Sequence, residues 1–324
     1  MQVVIPAAGF ATRMRPLSLT KPKALIPVAG KPIVGHILDQ IGNLTDRIVL
    51  VVGENGMGIV EYVKSRGYDV DYVVQRKEEM LGLGYAINLT RGKVNPSEPM
   101  LVILGDTPFR MDLKGAMRVG DFIAVKKVDD PRRFGVVRIE GGYVVDMVEK
   151  PEVPPSNLAI VGIYYFTNVG LLYEALNHII TSDIRTRGEY QLTDAMKVMI
   201  TKGWKVKAVE VEEWLDCGTL DQTILSQRKL LEWNTHYRER EGSLILPPVY
   251  IHDSAVVEGS IVGPNVHVGE GAVIRNSIVR DSILDRGAVV ENTVLENSLI
   301  GESARVGSRP KRLRISDYSH VSED

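Results

Sequence analysis

Four short stretches carry residue types that could handle phosphate and a hard metal ion. The first is residues 6–16 (PAAGFATRMRP), with Pro22-Lys23 behind it. Small side chains at Ala7, Ala8, Gly9 and Ala11 let backbone N–H groups come close to an anion. Thr12 continues the loop, Arg13 offers a planar fork to phosphate oxygens, and Lys23 adds a compact charge. The same loop read alone is also a surface turn with a solvated Arg. The second stretch is Gly105-Asp106 after the apolar run 101–104. An acid there suits Mg²⁺, which takes one or two carboxylates plus substrate phosphates; capping the next turn is the alternative.

The third stretch is residues 214–219 (WLDCGT). Asp216 follows a strand-like run at 206–211 and precedes a helix, so Asp106 and Asp216 form a candidate metal pair. Cys217 is a bystander on this reading, because one cysteine with no nearby His does not make a zinc site. The fourth is Glu149-Lys150-Pro151. Glu149 could accept sugar hydroxyls and Lys150 could hold a phosphate; an exposed ion pair worth little is the alternative. None of the six His residues has a metal-ligand spacing with another, and no Ser–His–Asp arrangement is suggested.

The elements that must position these residues alternate in the first half. Residues 3–5, 47–52, 70–74 and 100–104 read as buried strands. Helices are expected after Pro32, with Ile33, Val34, Ile37, Leu38 and Ile41 on one face, and over 58–64. This rhythm predicts a doubly wound, Rossmann-like α/β domain, which binds ligands outside the carboxyl ends of its strands. Farther on, 136–139 and 143–147 straddle Gly141-Gly142 as a hairpin, and 160–166 is another strand. Thr219, with Gln222 three residues later, opens a helix expected to run to Gly242.

After Pro247-Pro248 the texture changes. Ile251, Val257, Val262, Val268, Ile274, Val279, Leu284, Val290, Leu295, Ile300 and Val306 recur in steps of five or six. Gly and Asn fall between them. A short period sustained this long predicts a parallel β-helix, since ordinary sandwich strands would be spaced 8–12 residues apart and irregularly. The charged residues between, Glu258, Glu270, Arg275, Arg280, Asp281, Asp285, Arg286, Glu291 and Glu296, are expected to face outward. The basic run 309–314 (RPKRLR) reads as a solvated edge. The expected division is 1–241 and 242–324.

The 39 basic and 41 acidic residues among 324 leave a formal charge of −2. That argues against a nucleic-acid or membrane-surface partner, so any anion must be held by a few placed cations. A single cysteine, no signal-like N-terminus and no long apolar run fit a soluble protein of the reducing cytoplasm.

Taken in order, loop, P-K, G-D, E-K-P and W-x-D-x-G-T resemble the sugar-1-phosphate nucleotidyltransferases, in the long form with a C-terminal left-handed β-helix. The likeness covers roughly residues 1–235. It implies transfer of a nucleoside monophosphate from a triphosphate to a sugar 1-phosphate with Mg²⁺, dTTP or UTP and glucose 1-phosphate being favoured. Guanylyl- or adenylyl-transfer stays open. By the resemblance Arg13, Lys23 and Lys150 act on phosphates, and Asp106 and Asp216 hold Mg²⁺. Ala7, Ala8, Gly9, Ala11, Thr12, Arg13, Gln75 and Gly82 meet the nucleotide. Gly135, Glu149, Lys150, Asn157 and Gly162 meet the sugar phosphate. The run 188–194 (GEYQLTD) is also family-like. Ala11 stands where the family usually has Gly, at a cost if positive φ is needed. Residues 75–82 (QRKEEMLG) are one residue longer than usual. Two further expectations remain beside the enzyme: a non-catalytic relative, and an acyltransferase on the β-helix using His252 or His267. We expect the β-helix to build a homo-oligomer instead.

Overall fold

The computed structural model describes residues 1–308; the basic run 309–314 lies outside them. Two compact units result, Met1–Pro27 with Lys31–Ser226, and Val28–Gly30 with the chain from Gln227 on.

The first unit is built on a nine-stranded mixed sheet. Its parallel centre comprises β1 (Gln2–Ala7), β2 (Arg47–Gly53), β3 (Asp69–Gln75) and β4 (Met100–Ile103) in the order β3-β2-β1-β4. The helices α1 (Ile33–Ile41), α2 (Met57–Ser65) and α3 (Leu83–Asn88) connect them. Strands covered on both faces need apolar side chains at every position. Accordingly Val3, Ile5, Leu50, Leu101 and Ile103 pack with Ile37, Leu38, Val60 and Val63 on one side. Val4, Val49 and Val102 point into the opposite core. The strand order reverses between β1 and β4, which opens a crevice where their carboxyl ends diverge.

The rest of the sheet is mostly antiparallel. It adds β5 (Phe122–Lys127), the hairpin β6 (Gly135–Glu140) and β7 (Tyr143–Glu149), β8 (Leu158–Phe166) and β9 (Lys207–Glu210). Gly141 and Gly142 turn the hairpin at φ 58° and 82°. Helices α4 (Val169–Thr181) and α5 (Leu192–Thr201) supply Leu172, Leu176 and Met196 to the second core.

Helix α6 (Leu220–Trp233) begins where the sequence predicts: Gln222 N–H donates to Thr219 Oγ1 at 3.2 Å. It ends nine residues before Gly242. Tertiary pairing takes over: Asn234 Nδ2 donates to the Ala29 carbonyl, and His236 exchanges backbone bonds with Val249 and Ile251.

Among the described residues the second unit is a three-sided parallel β-helix with four strands on each side. Val249 pairs with Val266, seventeen residues on, and Val273 with Val289, sixteen on. Three steps of five or six residues thus close one coil. Ile251, Val262, Val268, Ile274, Val279, Leu284 and Val290 are fully buried along its axis. Asn265, Asn276 and Asn292 turn corners in the left-handed region, which Asn tolerates better than other side chains. Hydroxyls close other corners: Ser277 N–H donates to Ser260 Oγ, and Thr293 N–H to Ser277 Oγ. Of the charges expected outside, Asp285 is instead 7 % exposed, its carboxylate accepting from the Arg286 N–H. Asp281, its side chain only 15 % exposed, pairs with Arg228 and accepts from Asn265 Nδ2. Arg275 bridges Glu258 and Glu291, and Arg280 meets Glu296, as outward ladders. Ile274→Ala would leave a cavity on the axis and should cost about 2–5 kcal/mol. A clearly lowered thermal midpoint for the β-helix transition, followed by calorimetry, is the expected result.

Candidate active site

Three adjoining cavities lie along the carboxyl edge of the parallel strands. The first is lined by Ala7, Ala8, Gly9, Lys23 and Gln75 together with Glu54, Asn55 and Lys77. The second shares Ala7, Ala8, Gly9, Lys23 and Gln75, and adds Ala11, Gly82, Asp106 and Glu189. The third shares Asp106, and adds Gly135, Glu149, Lys150, Gly162, Gln191, Thr193 and Asp216. Lys23 and Asp106 therefore stand where one cavity passes into the next.

The loop after β1 is shaped by strain and anchoring. Ala11 takes φ 46°, ψ 43°, the left-handed conformation that costs an L-residue roughly 1–2 kcal/mol. Its carbonyl accepts from Met14 N–H and Ser18 Oγ, and Met14 is fully buried. Gly105 lies so near β1 that a Cβ would stand 2.8 Å from that of Ala7. Arg13 and Thr12 are exposed and line none of the three cavities. Gln75, 4 % exposed, gives its amide N–H to the Glu79 carbonyl. Within 75–82 the residues Lys77–Glu79 form a 3₁₀ turn, which Glu79 closes by accepting from Arg76 N–H.

Lys23 opens a 3₁₀ turn after Pro22, and its Nζ lies 2.7 Å from Asp106 Oδ2. Asp106 Oδ1 takes the Thr107 hydroxyl at 3.2 Å, so both carboxylate oxygens meet side chains instead of capping a turn. Asp216 follows the two-residue strand Glu213–Trp214, not β9 directly. That strand pairs with Phe109–Arg110, just beyond Asp106, and Leu215 N–H donates to the Pro108 carbonyl. The small ribbon brings the two aspartates to the wall of one cavity. Asp216 Oδ1 accepts from Gly218 N–H at 2.7 Å. Cys217 points into the interior, where burial pushes its thiol up to about 12, against a smaller lowering by Lys23.

Around the third cavity, Lys150 is also left-handed, at φ 45°. Its N–H donates to Phe134 and its carbonyl accepts from Arg187 at 2.6 Å. Its Nζ lies 3.4 Å from Glu149 Oε1. A Cβ on Gly135 would sit 2.9 Å from Glu149 Oε2 and 3.1 Å from Ile160, so any side chain there would push the Glu149 carboxylate aside. Gly162, at φ 95°, breaks the register of β8, and a Cβ would meet Leu104 at 2.5 Å. Asn157 is exposed before β8 and outside the lining; its carbonyl accepts from Val128 N–H. Sequence reasoning noted the 188–194 run without giving it a place. Tyr190 N–H bonds the Leu81 carbonyl, and the Tyr190 carbonyl accepts from Gly84 N–H. That seats Glu189, Gln191 and Thr193 on the cavity walls. Glu54, Asn55 and Lys77 carried no motif signal at all.

The third cavity carries Arg133 and Lys150 against Asp106, Glu149 and Asp216. A phosphate dianion entering a site with that surplus of carboxylate needs added positive charge. Two hard oxygen ligands facing one space suit Mg²⁺. Among the described residues no group of three or more acidic, His or Cys side chains forms a metal cluster, so phosphate and water would complete the shell.

Residues 2–232 match the nucleotidyl transferase family, and residues 245–324 match the GMPPB C-terminal domain. The chain is similar to the bifunctional protein GlmU of Methanococcus maripaludis, 36 % identical over 67 % of this chain and 51 % of that one. It thus spans about half the length of that relative. The UTP–glucose-1-phosphate uridylyltransferase AglF of Haloferax volcanii is 32 % identical over 74 % of this chain and all of its own. A UDP-glucose pyrophosphorylase in complex with UDP-glucose superposes with a TM-score of 0.60 at 25 % identity, over 72 % of this chain and 98 % of the other. A candidate glucose-1-phosphate thymidylyltransferase from Bacillus anthracis gives 0.62 at 26 %, over 74 % and 98 %. With the family match spanning the loop, both aspartates and the Glu149-Lys150 pair, the chain belongs to the nucleotidyl transferase family.

Proposed function

We propose that this enzyme forms a nucleoside diphosphate sugar from a nucleoside triphosphate, UTP or dTTP being favoured, and a sugar 1-phosphate, glucose 1-phosphate being favoured. One observation carries the reading: Lys23 and Asp106 stand at the shared walls of the three cavities, so two phosphorylated ligands placed end to end would meet beside them. A relative named UTP–glucose-1-phosphate uridylyltransferase and a structural neighbour named UDP-glucose pyrophosphorylase support the substrate class.

On this reading the triphosphate lies over Ala7, Ala8, Gly9 and Ala11, with Gln75 and Gly82 toward the base. The sugar lies against Gly135, Glu149 and Gly162, with Lys150 on its phosphate. That phosphate is already ionised and needs no general base. Its oxygen attacks the α-phosphorus in line; a P–O bond forms, the α–β P–O bond breaks, and pyrophosphate leaves. Catalysis is then positioning and electrostatic stabilisation. Lys23 faces the reacting phosphorus, and Arg13, on the same loop, is assigned to the leaving group. Asp106 and Asp216 would hold Mg²⁺, which supplies charge neutralisation on the phosphates.

We also propose that the β-helix joins copies of this chain. Leu244, Ile278 and Val294 stack outward on one sheet at 53, 40 and 63 % exposure, an aliphatic stripe beside ladders of already paired charge. An acyltransferase role for His267 is not favoured. It is 3 % exposed, accepts from Gly30 N–H at Nδ1, and stacks on Tyr250.

Pyrophosphate release over a panel of nucleoside triphosphates and sugar 1-phosphates tests the reaction and selects the pair; no release with any pair would refute it. Asp106→Asn and Asp216→Asn should each lower kcat by ~10²-fold or more with folding intact. Steady-state kinetics should also separate the two lysines. Lys150→Ala raises KM for the sugar phosphate most, while Lys23→Ala lowers kcat most. Ile278→Glu should shrink the assembly seen by light scattering and spare pyrophosphate release per subunit.

A further inference from the structure

The two aspartates of the proposed metal pair are not equivalent. Asp216 has one oxygen on the Gly218 N–H and, among the described residues, no cation beside it. Asp106 is held by Lys23 at 2.7 Å. The Lys23 side chain is only 12 % exposed, whereas that of Asp106 is 45 % exposed. Asp106 could turn to water if the pair opened; the ammonium of Lys23 could not do so without moving its stem. That stem rises from a turn closed by Leu25 N–H on Pro22 and Ile26 N–H on Lys23. Lys23 lines the first two cavities and Asp106 the second and third, so the pair stands in the middle one.

We propose that Lys23, beyond its part at the reacting phosphate, couples metal binding to nucleotide binding. In the free chain it occupies Asp106 as counterion. A divalent cation arriving alone must displace an ammonium that then has no anion and little water, which is costly for a largely buried charge. A triphosphate arriving alone must draw Lys23 away and leave Asp106 facing phosphate. Arriving together they exchange partners: Lys23 passes from carboxylate to phosphate, and Asp106 from ammonium to the cation. Linkage then requires each ligand to raise the affinity of the other by the same factor, commonly about 5–150-fold for coupled sites. The consequence is an enzyme that takes up nucleotide and metal as one unit and keeps neither alone.

This rests on the assignment of Asp106 as a metal ligand, and the test separates the two ideas. Mn²⁺ is titrated into the full chain without nucleotide, with bound ion read by electron paramagnetic resonance. The wild-type chain should bind weakly. Lys23→Met keeps the apolar stem and removes the charge, and should bind Mn²⁺ at least about fivefold more tightly. Lys23→Gln should do the same, and Lys23→Arg should restore weak binding. Equal or weaker Mn²⁺ affinity in both neutral variants, with native circular dichroism, would overturn the coupling. Asp106→Asn should lose the Mn²⁺ signal. If it binds like the wild type, the metal assignment itself fails, whatever the lysine variants do.

Discussion

Two residues paired with two others, Phe109–Arg110 against Glu213–Trp214, hold together parts of the chain a hundred residues apart. The pairing of the two aspartates in the candidate site depends on that ribbon. β4 delivers Asp106 to the crevice because its own strand is buried and its successor Gly105 can pass close to β1. Nothing in the main sheet delivers Asp216. The ribbon and the Leu215-to-Pro108 hydrogen bond do. The Trp214 ring, edge-on to Phe134 at 4.8 Å, then ties the same ribbon to the start of β6. One tertiary pairing so links the Asp106 end of the crevice to the Gly135 end.

Elements whose shape is dictated by burial could be read directly from residue order. The parallel strands announce themselves as unbroken aliphatic runs, and the β-helix as an aliphatic residue every fifth or sixth position. Elements held by tertiary pairing could not. Two-residue strands have no periodicity to detect, so residue order alone places Asp216 after the longer run that forms β9. Helix α6 has no sequence stop at Trp233; it stops because Asn234 and His236 find backbone partners elsewhere. Asp285 reads in sequence as one more outward charge, and the coil places it at a buried corner.

The site divides along the same line. Lys23, Asp106, Glu149 and Lys150 sit beside elements fixed by local sequence, and all four line the cavities. Asn157 sits on an exposed approach to β8, and its backbone carbonyl rather than its side chain has a defined bond. Glu54, Asn55 and Lys77 reach the first cavity only because β2 and β3 end beside the β1 loop. The left-handed residues Ala11 and Lys150 are local departures from easy backbone geometry. Strain of that kind persists where surrounding structure enforces it, and functional loops are where it collects.

The coil of the β-helix has a further implication for how this chain can change. Each coil repeats after sixteen or seventeen residues, with its core positions, Asn corners and hydroxyl bonds returning in register. A whole coil can therefore be duplicated or lost as one unit, and the strands above and below still find partners. An insertion of another length is accommodated only where it bulges out at a corner; within a strand it turns inward-facing aliphatics out to water. Length variation in this half of the molecule is in that sense quantised, and descent would leave it in multiples of a coil while the α/β half kept its size.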